Sequence, residues 1–395
     1  MPSFSRRDFL KTSGLFTIPG IFGTVPAFAG IHPQKGYTPG GPFTRFFSDG
    51  EIFDGPAYWE ELQKFNDKHP VRPDRYGSGG AVEELEKEFE KITGKEKAIY
   101  MPTGTMANQL AIAVLSGDKT KVFVQDTSHV YRDEADAAQS IFNKRLMPLA
   151  KNETYFTAAQ LKDAIAGLDN EEVFKSGIGA VSIENPVRRA DGRMVPITEI
   201  KSISRFCRDN NIQLHLDGAR IFLASAWSGI PVAEYASYFD TVYISLYKYF
   251  GASAGAVLCG ESNVINKMSH LIKIHGGNQF GNWLNAAMAY HRLQGFNDRM
   301  IQTVKLSKEI FNGLNQLQAL KISALDGGTN IYHLQLSGEV NTVKFTDVLA
   351  TKHSIRMPKP NEQGFAKIFV NETLLYRDKT YFVNAFADAI KQASS

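Results

Sequence analysis

Cysteine is nearly missing from this chain: Cys207 and Cys259 are the only two among 395 residues. Two thiols cannot make the disulfide framework of a small secreted module, and their spacing asks for no pairing, so each is expected as a packed free thiol. An excess of charge of one sign is missing as well. Lysine plus arginine total 44 and aspartate plus glutamate 41, a formal net charge of +3, which offers no broad basic surface to nucleic acid or an anionic membrane. Beyond residue 29 no apolar run reaches the roughly 18 residues of a membrane-spanning helix. There is no internal repeat and no low-complexity segment. What is present is ordinary globular composition, 43% hydrophobic and 22% charged, in a chain long enough for a large core and two domains.

The first 29 residues are of another kind. Ser5-Arg6-Arg7-Asp8-Phe9-Leu10-Lys11 sets a twin-arginine pair before Phe-Leu-Lys. Gly14 to Val25 is mildly apolar but broken by Pro19 and three glycines, and Ala27-Phe28-Ala29 has the small-x-small pattern of a signal-peptidase site. In this order they resemble a twin-arginine export signal. The resemblance implies a periplasmic mature protein beginning near Gly30. Because that route carries folded proteins, it also favours a cofactor held tightly before export.

Residues 30–70 are expected as an N-terminal arm, extended at its start. From 71 to 295 apolar runs alternate with amphipathic stretches. Val82, Leu85, Phe89 and Ile92 share one face of a helix ended by Gly94. Strands are expected near Ala98–Met101, Val122–Val124, Ile178–Ile183, Leu214–Leu216, Thr241–Ser245 and Ala254–Cys259, with helices over Met106–Leu115 and Ile197–Asn210. Such alternation predicts an α/β domain with a mostly parallel sheet wrapped by helices. A long helical stretch around 290–320 intervenes. Residues 296–395 then read as a small C-terminal α+β domain, with strands at Ile331–Leu336 and Ala366–Val370 and helices at Thr342–Lys352 and Arg377–Ala393.

Open α/β sheets bind ligands at the carboxyl ends of their strands. At such ends stand Thr103-Gly104-Thr105, His129, Glu184-Asn185, Asp217-Gly218-Ala219-Arg220 and Lys248. Each suits one task in the chemistry of pyridoxal 5'-phosphate. A lysine amine must condense with the cofactor aldehyde, and Lys248 precedes a small-residue segment, Gly251–Gly255, that lets backbone approach closely. A carboxylate must keep the ring nitrogen protonated, and Asp217 ends an apolar strand where its charge needs a partner. Arg220 suits the ring's phenolate oxygen. Gly104 and Thr105 open a helix whose N–H groups suit the phosphate. Taken one at a time, each has a plainer reading: a structural Asp–Arg pair, a solvated lysine, a helix cap, a packed histidine.

Their order along the chain resembles that of the L-threonine aldolase and β-eliminating lyase family. Leu214-His215-Leu216-Asp217-Gly218-Ala219-Arg220 is similar to its cofactor motif, and Met101-Pro102-Thr103-Gly104-Thr105-Met106-Ala107-Asn108-Gln109 to its phosphate cup. Ser48-Asp49, Arg75-Tyr76-Gly77, Ser128-His129 with Glu134, Glu184-Asn185, Gly192–Pro196, Ser245–Lys248 and Thr329-Asn330 follow in the family's sequence. The resemblance implies a fold type I pyridoxal-phosphate enzyme of the aspartate-aminotransferase architecture, with a seven-stranded, mostly parallel sheet. It gives Lys248 as the Schiff-base residue, Asp217 as the ring-nitrogen partner and His129 stacked on the ring as a base. Gly104, Thr105 and Arg220 are further cofactor contacts, and Ser48 contacts the substrate carboxylate. No metal is expected.

Four departures stand out. Pro186-Val187 occupies the place of a Thr-His whose histidine is associated with the substrate β-hydroxyl, and Tyr247 replaces a small hydroxyl residue before the lysine. Gly276-Gly277-Asn278-Gln279 lacks an arginine, and Lys367-Ile368-Phe369-Val370-Asn371 replaces an Arg-x-Val-Thr-His stretch. Arg356 or Lys367 is then the expected partner of the substrate carboxylate. The implied function is retro-aldol cleavage of a β-hydroxy-α-amino acid to glycine and an aldehyde. The alternatives are β-elimination to a keto acid and ammonia, and pyridoxal binding without turnover. A homodimer or homotetramer is implied.

Overall fold

The computed structural model describes residues 43–394; the export-signal stretch and the first part of the arm lie outside the described residues. Among the described residues no helix is long and apolar enough to cross a membrane. Twelve strands are present among them: β1 (Thr44–Arg45), β2 (Lys97–Met101), β3 (Lys121–Gln125), β4 (Arg145–Leu149), β5 (Ile178–Glu184), β6 (Gln213–Asp217), β7 (Thr241–Ser245), β8 (Ala256–Gly260), β9 (Leu320–Ala324), β10 (Ile331–Leu336), β11 (Ile355–Arg356) and β12 (Phe365–Phe369).

β2 to β8 form one seven-stranded sheet in the order β2-β8-β7-β6-β5-β3-β4. Only β8 runs against its neighbours; the pairs from β7 through β4 are all parallel. β3, β7 and β8 are buried at every residue, which is why their sequences are near-continuous apolar runs instead of alternating ones. Pro148 falls in β4, at the sheet edge, where a missing N–H does least harm.

Helices cover the sheet. Gly80–Thr93 buries Val82, Leu85 and Phe89, and Gly94 ends it at φ 67°, a left-handed turn that glycine takes without strain. Gly104–Ser116 begins where Thr103 caps it, the hydroxyl accepting from the Met106 N–H. Its small side chains let it lie close beneath the strands, and nine of its residues are buried. Burial also pushes the free thiols of Cys207 and Cys259 up to about 12, so neither is reactive near neutral pH.

A second, antiparallel sheet has the order β12-β10-β9 and packs with helices Phe296–Leu314, Thr342–His353 and Lys379–Ala393 around Phe345, Phe382 and Phe386. The arm reaches this region: β1 pairs in parallel with β11, and the Asn371 amide donates to the carbonyls of Arg45 and Ser48. Farther along the arm, Gly55–Asn66 is a helix capped by Asp54, with Leu62 and Phe65 in the large core cluster.

Candidate active site

A cavity of about 240 Å³ opens at the carboxyl ends of the parallel strands. Its lining includes Gly104 and Thr105 from the helix start, His129 and Glu134 after β3, Glu184 and Asp217 at the ends of β5 and β6, and Tyr243 and Lys248 from β7 and beyond. The structure therefore brings Gly104, Thr105, His129, Asp217 and Lys248 together. It does not bring the other candidates into that lining. Arg220 starts the helix Ile221–Ser228, and its Nε donates to Asp49 at 2.7 Å; Asp49 also accepts from Asn330 at 3.2 Å. Ser48 donates to the Gly50 carbonyl at 2.7 Å. Lys367 pairs with Asp191 at 2.6 Å, and the Arg356 guanidinium lies over the Phe43 ring at 4.3 Å.

Asp217 is buried and held on both oxygens. One accepts from the Asn108 amide at 2.9 Å, the other from the Ala219 N–H at 3.2 Å. The same amide donates to Glu134 at 2.7 Å, which fixes its nitrogen toward the carboxylates and its oxygen toward His215 Nε2 at 3.0 Å. Burial pushes His215 down to about 4, so it is neutral. Its Nε2 therefore carries the proton donated to Asn108, and its Nδ1 accepts from the Thr241 hydroxyl at 2.8 Å. This chain of contacts orients the Asp217 carboxylate without supplying a charge that would neutralise it.

His129 lines the same cavity. Its backbone N–H donates to Glu184 at 2.7 Å, and its Nδ1 meets Glu134 at 2.8 Å. Burial disfavours the imidazolium, but Glu134, Asp217 and Glu184 outweigh burial and lift the His129 pKa. Burial together with the Asp217 charge raises both Glu134 and Glu184 above the usual carboxylate range. Lys248 is pulled the other way: burial, then the neighbouring Arg220 charge, lowers it to about 8. An imidazole lifted, an amine depressed and two carboxylates lifted in one cleft is the pattern of acid–base machinery.

His129, Glu134 and Asp217 each place a ligand atom within 4.8 Å of the others. Those atoms are already engaged with one another and with Asn108, so a cation there would have to displace existing hydrogen bonds.

Asn108, His215 and Asp49 stand within motifs that the sequence reading names, but it gives them no role; the structure makes them supports of the site. One signal for His215 is available: in the strand Leu214-His215-Leu216-Asp217, the two polar residues alternate with leucine and so share a face.

The departure at Val187 takes a different meaning in the structure. Val187 does not line the cavity; it is wholly buried in the large core cluster, its N–H donating to the Arg193 carbonyl at 2.8 Å. Val187→His is therefore expected to lower stability by about 1–3 kcal/mol, through overpacking and a buried imidazole, and to leave substrate preference unchanged. A urea denaturation midpoint equal to the wild type would show that the site tolerates the ring.

Comparison with known proteins adds to this. Residues 65–337 match the family model of beta-eliminating lyases. A low-specificity L-threonine aldolase from Candida albicans is 35% identical over 211 residues, 53% of this chain and 56% of that protein. An alanine racemase from Cochliobolus carbonum is 30% identical over 236 residues, 57% of this chain and 59% of that one. The chain thus spans little more than half the length of these curated relatives. A solved Leishmania major threonine aldolase shares the fold, with a TM-score of 0.66 at 16% identity, covering 88% of this chain and 99% of that one.

Proposed function

The chain belongs to the beta-eliminating lyase family, and from that premise we propose that it is a pyridoxal 5'-phosphate-dependent amino-acid lyase of the threonine aldolase kind, cleaving a β-hydroxy-α-amino acid to glycine and an aldehyde. The observation that carries the reading is that Lys248, Asp217, His129 and the Gly104–Thr105 helix start line one cavity. The donor set fits the cofactor: an amine depressed to about 8, a carboxylate held by neutral donors, and a helix N-terminus at Gly104 whose first N–H groups can meet an anion.

Bound pyridoxal phosphate supplies an electron sink for the pair released when a bond at the substrate Cα breaks. The chain's own residues do the rest. Lys248 would hold the cofactor through its amine, which becomes neutral as pH rises through about 8 and so is nucleophilic at milder pH than an ordinary lysine. Asp217, fixed by Asn108 and Ala219, would face the ring nitrogen and keep a proton on it. His129, tied at Nδ1 to Glu134, would flank the ring and move a proton through Nε2. Arg220, clamped by Asp49, adds a positive charge that acts on the lysine.

A product assay tests this. Incubation with β-hydroxy amino acids is expected to give glycine and an aldehyde. Ammonia plus a keto acid would instead mark β-elimination, the second reading, which the matching family model of beta-eliminating lyases favours. Racemised alanine without either product set would align the chain with the Cochliobolus relative. A protein that gains no visible absorbance with added cofactor would sink all three.

Two further readings belong to this proposal. The protein acts as a homodimer or homotetramer, with exposed Trp59, Tyr76 and Phe280 available to a second copy; a monomer mass in solution would refute it. It is also exported to the periplasm, as Arg6-Arg7 and Ala27-Phe28-Ala29 suggest. Arg6→Lys with Arg7→Lys is expected to strand it, folded and active, in the cytoplasm, and export that survives both changes would remove the pair from the signal.

A further inference from the structure

We propose that the Tyr243 hydroxyl is a binding group for the cofactor's phosphate, donating to the anion at the start of helix Gly104–Ser116. The inference rests on the reading of the cavity as a pyridoxal-phosphate site.

Tyr243 lies on β7 and is only 3% exposed, yet it lines the cavity. A Cβ built on Gly104 would lie 2.0 Å from the Tyr243 oxygen and 2.5 Å from the ring carbon that bears it. The phenol tip therefore sits against the first residue of the helix. At that end the first backbone N–H groups have no partner within the helix, and the Thr103 hydroxyl takes the one from Met106. The N–H groups of Gly104 and Thr105 remain for an anion. Lys248 is the only lysine or arginine in the cavity lining. An anion at the helix start therefore meets neutral donors: backbone N–H groups, the Thr105 hydroxyl and the Tyr243 hydroxyl.

Tyr243 is free for that role. Beyond the neighbouring Ser245 hydroxyl it has no hydrogen-bond partner among the described residues. Phenylalanine would fill the same space and pack on Gly104 equally well, so packing alone does not account for the oxygen. Burial and the Asp217 charge hold the phenol well above its ordinary pKa, so near neutral pH it keeps the proton it would donate.

Tyr243→Phe, which keeps the ring, separates the possibilities. The apoprotein is titrated with pyridoxal 5'-phosphate and, in parallel, with pyridoxal, which lacks the phosphate; absorbance reports binding. The variant is expected to melt within a few degrees of wild type and to bind pyridoxal unchanged. Its dissociation constant for pyridoxal phosphate is expected to rise roughly 10–100-fold, the worth of one hydrogen bond to a charged group. Unchanged affinity for pyridoxal phosphate overturns the proposal. An equal loss for both ligands overturns it too, because the hydroxyl would then serve the ring or the fold. Wild-type protein that binds neither ligand sinks the cofactor reading itself.

Discussion

Lys248→Ala is expected to leave a folded protein with no measurable turnover and no cofactor fixed by borohydride. Wild-type protein should show a visible absorption band with pyridoxal phosphate, and borohydride should bleach the band and leave the cofactor on Lys248. Losing a group that forms the covalent bond can cost on the order of 10⁶ in rate. The fold should survive because the Lys248 amine makes no ion pair among the described residues, and its charge is disfavoured where it sits, as the fall to about 8 shows. The same fall sets a pH dependence in the wild type. A lowered lysine pKa means the neutral, nucleophilic amine appears as pH rises through about 8, well below the ordinary 10.5. Capture of the cofactor by the apoprotein should therefore accelerate across that range and level off above it. A variant that keeps a hundredth or more of wild-type activity would remove Lys248 from the chemistry, and capture that rises only above the ordinary 10.5 would show the amine to be solvated.

How much of this is legible in the sequence depends on how local each signal is. β10 runs over Ile331–Leu336, as its alternating pattern implies, and β6 and β7 bracket the Leu214–Leu216 and Thr241–Ser245 runs. The strand-end residues are legible because chain order and sheet topology together fix which ends face one crevice. β4 is not legible: only Leu146 in it is buried, and it contains Pro148, so neither periodicity nor propensity marks it. β9 goes unmarked for a related reason, its pattern being Leu320 and Ile322 buried among exposed neighbours after a long helix. The supports of the site are hidden for another reason. Asn108 reaches Asp217 across 109 residues and Asp49 reaches Arg220 across 171, and such pairings exist only once the sheet and arm are assembled. Val187 shows the converse risk. A position matched by neighbours along the chain is expected near the substrate, but the turn at Val187–Arg193 sends that side chain into the core.

Asp217→Asn is expected to fold, to retain much of its cofactor, and to lose roughly 10²–10³ in kcat/KM, the usual range for removing one charge-stabilising group. The substitution is nearly isosteric, and the oxygen of the new amide can still accept from Asn108 or from the Ala219 N–H. It cannot do both, so one buried donor loses its partner and stability should fall by about 1–3 kcal/mol. What disappears is the negative charge that would keep a proton on the ring nitrogen, and a neutral amide cannot replace it. The neighbours report this loss independently of turnover. Asp217 helps raise Glu134, Glu184 and His129, so all three should titrate lower in the variant. It also opposes the depression of Lys248, so the amine should fall below about 8 and cofactor capture should shift to lower pH. Lower activity together with that shift identifies a charge acting in the site, whereas lost activity with an unmoved capture profile would indicate disturbed packing. Wild-type turnover in the variant would make Asp217 a structural residue, and the ring-nitrogen partner would have to be sought elsewhere in the cavity.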